Sequence, residues 1–560
     1  MQDLLRTLQD HDLGHLRIVA ELWGLDMPPG TAVEAARQLA QAMLDHGTAR
    51  ETAESLPPVD REALDHLLTQ GGRLPLADAT RRFGPLREMG PGRRDREKPW
   101  RSPTSPVEAL WYRGLIARAF TETPAGPQEF VFIPTDLLPL LPTPAPADEP
   151  PFGCQAPVPA LAWPADPFAS ADDATTLLAS LRRRSSKSLP PPPAHIAGLT
   201  PFLLQPGSIN LLLALLLEKS LLIGPPYRPS PETVRTFLDA SRGEATRQLL
   251  AAWVSSRLWN DLQQVPHLEA PGDGWPNDPP IARLAVIGFL KAIPLGEWWD
   301  LTSFVGAARE RQPGFQRPAG DFESWYLRDR RTGAFLRGFE HWESIEGSLL
   351  RNMIAGPLHW LGAADLGGLA PGSPPSSFRL TSLALALHDP QADLPPDDPA
   401  SAAVLQPDGR LTVPRSAPRA ERYQVARISA WERLGEDGYH CRLTPSSLQD
   451  AADQGLQVPQ VRTILEGACG RPAPAPLVRA IERWRARGSE ARLERPLVLR
   501  VSSRRVLEEL KGNRATARYL GEPLGPTAVL VSERDWERLC AAAAPLGLLI
   551  DPPPSRGEGE

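Results

Sequence analysis

Sixty-four prolines punctuate these 560 residues, about twice the usual share, and they fall in clusters. Proline is tolerated only in the first turn of a helix, so the chain must fold as short elements grouped between Pro-rich breaks. Two breaks stand out. Residues 142–200 include Pro190–Pro193 and the basic-serine run Arg182–Lys187, and residues 388–400 hold four aspartates among prolines. Such stretches read as extended linkers. The 41% hydrophobic and 23% charged fractions are ordinary for a globular chain, and this length accommodates about three or four domains with cores of their own.

Residues 1–56 repeat apolar positions at helical spacing (Leu4, Leu5 and Leu8; Leu13, Leu16 and Val19; Val33–Leu44), which predicts a helical cap. Across 57–141, Asp60 is placed as the N-cap of a helix closed by Gly71 and Gly72. Leu74–Phe83 offers a second helix, and Ser105-Pro106 opens a third that ends at Gly114. A hairpin follows, Leu115–Phe120 and Glu129–Ile133 around a turn at 124–127. Three helices and a hairpin make a winged-helix arrangement. Residues 201–387 read as a helical domain with a tryptophan-filled core, ending in a second winged helix: Trp342–Ile354, then strands at Leu358–Leu361 and Ser377–Leu380. The strand–Thr–helix order recurs at Phe130–Leu138, Phe378–Leu385 and Tyr439–Leu448, a weak internal repeat. The expected class is α+β, mostly helical.

The net charge of −6 excludes coating of nucleic acid by overall charge. Residues 479–520 are nevertheless locally basic, with twelve Arg or Lys against five Glu, and 81–101 hold eight against three. Arg479, Arg483 and Arg487 recur at four-residue spacing, which lines them along one helix face. With Arg485, Arg504 and Arg505 they are the candidate contacts for weak, non-specific DNA binding. Single arginines carry little weight, because the chain uses 56 arginines against five lysines.

No chemistry of catalysis is singled out. A phosphate-binding loop needs Gly-Lys followed by Ser or Thr, and Gly-Lys does not occur. Asp148-Glu149, the pair with a helicase-box flavour, lies between prolines. His11 and His15 have zinc-compatible spacing, but a surface position is the expected one. Cys154, Cys441, Cys469 and Cys540 are far apart and read as reduced, mostly buried thiols. Met1–Arg17 lacks the apolar core of a signal peptide, and the run Ile209–Leu217 is too short to span a bilayer. The expectation is a cytoplasmic protein that is not an enzyme, with no cofactor, metal, membrane contact or small-molecule substrate.

One stretch points beyond its own fold. An apolar run enters Gln406-Pro407-Asp408-Gly409 and returns as a strand. Later, Leu443-Thr444-Pro445, Ser447 and Leu448 lead into Leu456–Leu465, a proline-interrupted break, and Val478–Trp484. This order resembles the N-terminal domain of xeroderma-pigmentosum-group-B (XPB)-type DNA helicases, also found in separate helicase-associated proteins. The chain departs from the family at Cys469-Gly470, where a Ser usually precedes the break. The resemblance covers 401–487; a small α/β unit follows at 488–550, then a disordered tail at 551–560. It implies an accessory module without a motor, docking an XPB-type helicase supplied in trans and assisting repair or transcription. Residues 401–550 are expected to fold alone and bind that helicase. A winged-helix transcription regulator and a purely protein-binding scaffold are the other readings.

Overall fold

Local chemistry sets the first helices. Asp3 and Asp12 accept backbone N–H bonds at the starts of α1 (Leu4–Gln9) and α2 (Leu13–Trp23), and Gly24 closes α2 in the left-handed region. Thr31 and Glu34 form a reciprocal capping box on α3 (Ala32–Met43), and α4 (His46–Glu54) follows. The computed structural model describes residues 2–26, 30–123, 126–142, 150–270, 277–317, 321–491 and 497–552. Residues 1–475 and 476–560 form two compact units.

The next elements are α5 (Pro58–Thr69), β1 (Arg73–Pro75), α6 (Leu76–Phe83), α7 (Pro91–Glu97), α8 (Pro106–Tyr112), β2 (Ala117–Thr123) and β3 (Gly126–Phe132). The strands form an antiparallel sheet in the order β1-β3-β2, with Phe132 opposite both Arg73 and Ala117. Leu4, Leu16, Leu39, Leu64, Leu110 and Val131 share one core beneath it. Gly114 takes φ 65° where the sequence places a left-handed end. Asp60 is not the cap of α5. Pro57 holds that position, and Asp60 lies buried inside the helix, 3.7 Å from Arg113. Of the expected hairpin turn, residues 124 and 125 lie outside the described residues, as do Asp148-Glu149 and most of the tail.

The stretch read as a linker at 142–200 contains regular structure. β4 (Leu161–Trp163) joins a sheet, α9 (Ala169–Arg183) has every residue from Ala169 to Leu181 buried, and α10 (Pro193–Leu199) follows. The proline clusters flank α9 without entering it, so its helix is uninterrupted. α11 (Ile209–Glu218), β5 (Leu222–Ile223), β6 (Arg228–Pro229), α12 (Pro231–Asp239), α13 (Arg242–Ser255), β7 (Leu268–Glu269), α14 (Pro279–Leu290), β8 (Trp298–Asp300), α15 (Leu301–Arg311) and β9 (Arg328–Asp329) come next. Trp253, Trp259, Trp298, Trp299 and Trp325 are all buried.

Of the two strands expected here, Ser377–Leu380 forms as read, whereas the one expected at Leu358–Leu361 is displaced. α16 (Ser348–Met353) runs on through a wide helical turn, Ile354–Leu358, that accommodates Pro357; widening relieves the clash and missing donor that proline brings. β10 (Ala364–Gly368) begins only after Gly362. It pairs with β11 (Ser377–Leu380) inside a four-stranded sheet, β4-β10-β11-β8, fed by the supposed linker and by the helical region. The helix-then-hairpin order read over 342–380 is thus present, with its two strands built into that larger sheet.

Residues 388–400 have no regular structure but are fastened down. The Asp397 carboxylate accepts the Arg242 N–H at 3.0 Å at the start of α13, and Arg247 bonds the Pro390 carbonyl. β12 (Val404–Leu405), β13 (Arg410–Val413), α17 (Arg419–Ile428), β14 (Ala430–Gly435) and β15 (Gly438–Arg442) follow, with sheet order β12-β13-β15-β14. Thr444 and Ser447 cap α18 (Pro445–Asp453) reciprocally, and α19 (Val458–Cys469) ends at Gly470. α20 (Ala475–Arg487) leads to the second unit. There β16 (Leu497–Arg500), α21 (Arg504–Gly512), α22 (Arg514–Ala517), β17 (Leu520–Gly525), β18 (Ala528–Val531) and α23 (Trp536–Ala543) build a sheet ordered β16-β18-β17. No helix among the described residues is long and apolar enough to cross a membrane.

Candidate functional site

The six candidate arginines are all exposed. On α20, Leu477 and Ile481 are buried at four-residue spacing, and Arg479, Arg483 and Arg487 occupy the opposite side. Arg483 and Arg487 share Glu490, at 2.5 and 3.4 Å. Arg504 pairs with Glu508 one turn on, and Arg485 and Arg505 are exposed. These exposed pairs hold little energy and can be exchanged for a phosphate. Within the other basic run, Arg87 and Arg94 are structural. Arg94 is buried and grips Asp12 with two bonds, at 2.7 and 2.9 Å, while Arg87 is bound to the fully buried Glu108 at 2.6 Å.

The third helix of the N-terminal module cannot enter a groove. Val107, Glu108, Ala109, Leu110 and Tyr112 of α8 are buried, and α2 lies over it. The His11 and His15 rings stack 4.0 Å apart and meet Trp111 edge-on. The Trp23 indole N–H donates to the Arg113 carbonyl. His15 is thus not at the surface; burial pushes its pKa down to about 3.

The arrangement that the sequence did not disclose joins α9 to α17. Asp172 and Asp173 are fully buried in the middle of α9. Arg415 reaches Asp172 at 3.0 Å and Asp166 at 2.8 Å. Arg422 lies 3.7 Å from the Asp172 carboxylate, donates to the Asp172 carbonyl, and covers the Tyr439 ring at 4.3 Å. Arg419 donates to the Phe237 and Ala240 carbonyls at the end of α12 and stacks on Phe237, a favourable place for a cation. Burial lowers its pKa to about 10, so it remains charged at neutral pH. Each charge has a partner supplied by another element, the condition under which buried ions are tolerated.

Asp173 accepts the Leu204 and Gln205 N–H groups at 2.8 and 2.9 Å, yet burial pushes its pKa up to about 7. A carboxyl whose folded value lies above its unfolded 3.8 takes up a proton on folding, so its contribution is complete below about pH 4 and is lost as pH rises through 7. Asp12, held down to about 2 by Arg94, acts in the opposite sense, losing its contribution as pH falls through 2. Denaturant unfolding at pH 4, 5.5 and 7 is expected to show a smaller loss of stability with rising pH in Asp173→Asn than in the parent.

Reactive constellations are weak. Among the described residues no three His, Cys, Asp or Glu side chains gather as metal ligands. Cys154 is exposed, and Cys441 and Cys469 are buried; burial pushes the Cys441 thiol up to about 11. Ser180 Oγ lies 2.8 Å from His195 Nε2, but Ser180 sits inside α9 and no carboxylate among the described residues orients the ring.

Residues 403–524 match the family described as helicase conserved C-terminal domain. No curated protein matches the chain. The matched span begins at β12, includes the α17 arginines and the α20 face, and ends in β17, so it crosses from the first compact unit into the second. The C-terminal part of this protein is thus similar, over residues 403–524, to a helicase domain family.

Proposed function

We propose that this protein is a non-catalytic, helicase-associated accessory factor that docks an XPB-type DNA helicase supplied in trans and binds DNA weakly, in repair or transcription. The observation that carries the reading is the helicase-related span at 403–524, which presents the exposed arginines of α20 and α21. The absence of any Gly-Lys in the sequence supports leaving ATP binding to the partner. The order helix, strand, helix, short helix α7, helix, hairpin, with its β1-β3-β2 sheet, supports a winged helix over 57–141, with α7 as an insertion. The burial of α8 favours a winged helix packed against protein over one that reads operator DNA, so the regulator alternative is the weaker of the three. A pure scaffold differs from the accessory reading in one respect, DNA contact.

The test uses the full chain with a purified XPB-type helicase. The chain alone is expected to show no saturable nucleotide binding by calorimetry, and the mixture to turn over ATP faster on DNA than the helicase does. Replacing Arg479, Arg483 and Arg487 by Ser should weaken duplex binding about equally for all sequences and reduce the salt slope by roughly 3, at about 0.9 per phosphate. No binding and no stimulation would leave the scaffold or regulator reading. Stimulation with unchanged DNA binding in the triple variant would mark the α20 face as merely solvated.

A further inference from the structure

A second cationic site lies far along the sequence from the helicase-related region. α6 and the C-terminal end of α15 line a cleft of about 450 Å³, within the range of roughly 300–1,000 Å³ typical of ligand sites. Four arginines line it. Arg309 stacks on Phe339 at 5.4 Å, sharing that ring with Arg81 at 5.3 Å. Arg311 stacks on Phe152 at 4.6 Å and is held there by bonds to the Pro150 and Pro151 carbonyls. Arg82 completes the group from α6.

Charge balance in the cleft is incomplete. Four arginines line it against two carboxylates, Asp78 and Glu310; Asp78 is engaged by Arg81 at 3.0 Å, and among the described residues neither Glu310 nor any other carboxylate forms an ion pair with Arg82, Arg309 or Arg311. Carbonyl bonds and ring faces fix the orientation of Arg311 without neutralising it. Like charges gathered in this way repel one another until an anion is shared between them. Guanidinium groups anchored on phenyl rings also offer flat faces on which nucleobases stack. An acidic peptide would use the charge and leave those faces idle. Base faces are open to such stacking in a single strand and are covered by their neighbours inside a duplex.

We propose that this cleft binds single-stranded nucleic acid, with Arg82, Arg309 and Arg311 on its phosphates and bases against the guanidinium–phenyl faces. The site is independent of the α20 face and of helicase docking.

The experiment measures binding of labelled oligothymidylate to the full chain by fluorescence anisotropy, at salt from about 50 to 200 mM. Replacing Arg82, Arg309 and Arg311 by Ser is expected to lower affinity about tenfold or more and to reduce the salt slope by roughly 2, at about 0.7 per phosphate on a single strand. Losing the Arg311 bonds could unsettle Pro150–Phe152, so Arg82→Glu serves as a second variant. Arg82 is exposed, and its reversal should weaken binding about fivefold with an unchanged melting temperature. Several results would overturn the proposal: unchanged affinity and slope in both variants, no measurable strand binding by the parent, or loss of strand binding only when Arg479, Arg483 and Arg487 are replaced. Binding of inorganic phosphate at Arg82, Arg309 and Arg311 without any effect of the variants on the oligonucleotide would make this a free-anion site, and would also overturn it. Helicase stimulation is read separately, so the two readings can fail independently.

Discussion

Asp172→Ala is expected to destabilise the first compact unit by about 3–5 kcal/mol, the usual consequence of removing one member of a buried ion pair. The carboxylate has no exposure and faces both Arg415 and Arg422. Arg415 keeps Asp166 as an alternative partner, but among the described residues the Arg422 side chain, only 5% exposed, is ion-paired with no carboxylate besides Asp172. Its charge would remain desolvated beside Tyr439. Asp166→Ala supplies the control. Asp166 is about one-third exposed, and its loss should cost less than about 1 kcal/mol. Urea unfolding of both variants, followed by far-ultraviolet circular dichroism, measures the difference. Equal midpoints would show that the Asp172 network adds nothing to stability.

The second large effect concerns the fragment 401–550. The sequence reading expects it to fold alone, and the packing of α17 argues the reverse. Arg419, Arg422, Tyr423, Val425 and Ile428 are buried, with partners on α9 and α12 that the fragment lacks. Cutting there exposes an apolar face and strips two buried arginines of their acceptors. The expected result is that α17 amides exchange with solvent at unprotected rates in 401–550, while the same amides are protected in the full chain and in residues 150–550. Comparable protection in the short fragment would refute it. If the result holds, partner-binding experiments on 401–550 report on a damaged surface, and a failure to bind helicase would carry no meaning.

The same two segments mark the limit of what could be read from the chain alone. The cap at Thr444, the left-handed glycine at 114 and the apolar stripes of the N-terminal helices are legible because each depends on residues within one turn of its neighbours. The exposed face of Arg479, Arg483 and Arg487 is legible for the same reason. Strands β16 and β18 and helices α21 and α23 also follow from local pattern, although β17, with Pro523 and two glycines, does not.

Only the tertiary structure decided that α9 and α17 are core. With Asp172-Asp173 among Ala and Thr on one side, and three arginines in ten residues on the other, each segment by itself has the composition of a solvated surface. Burial of either would cost several kcal/mol per charge without the other. Some 250 residues separate Asp172 from Arg422, and no local periodicity records that one supplies the counter-charge of the other. The Arg82–Arg309–Arg311 cleft escaped notice for a related reason, since its members come from helices more than 200 residues apart. Sequence determines elements whose energetics are local; the fate of a charge depends on what the fold brings against it.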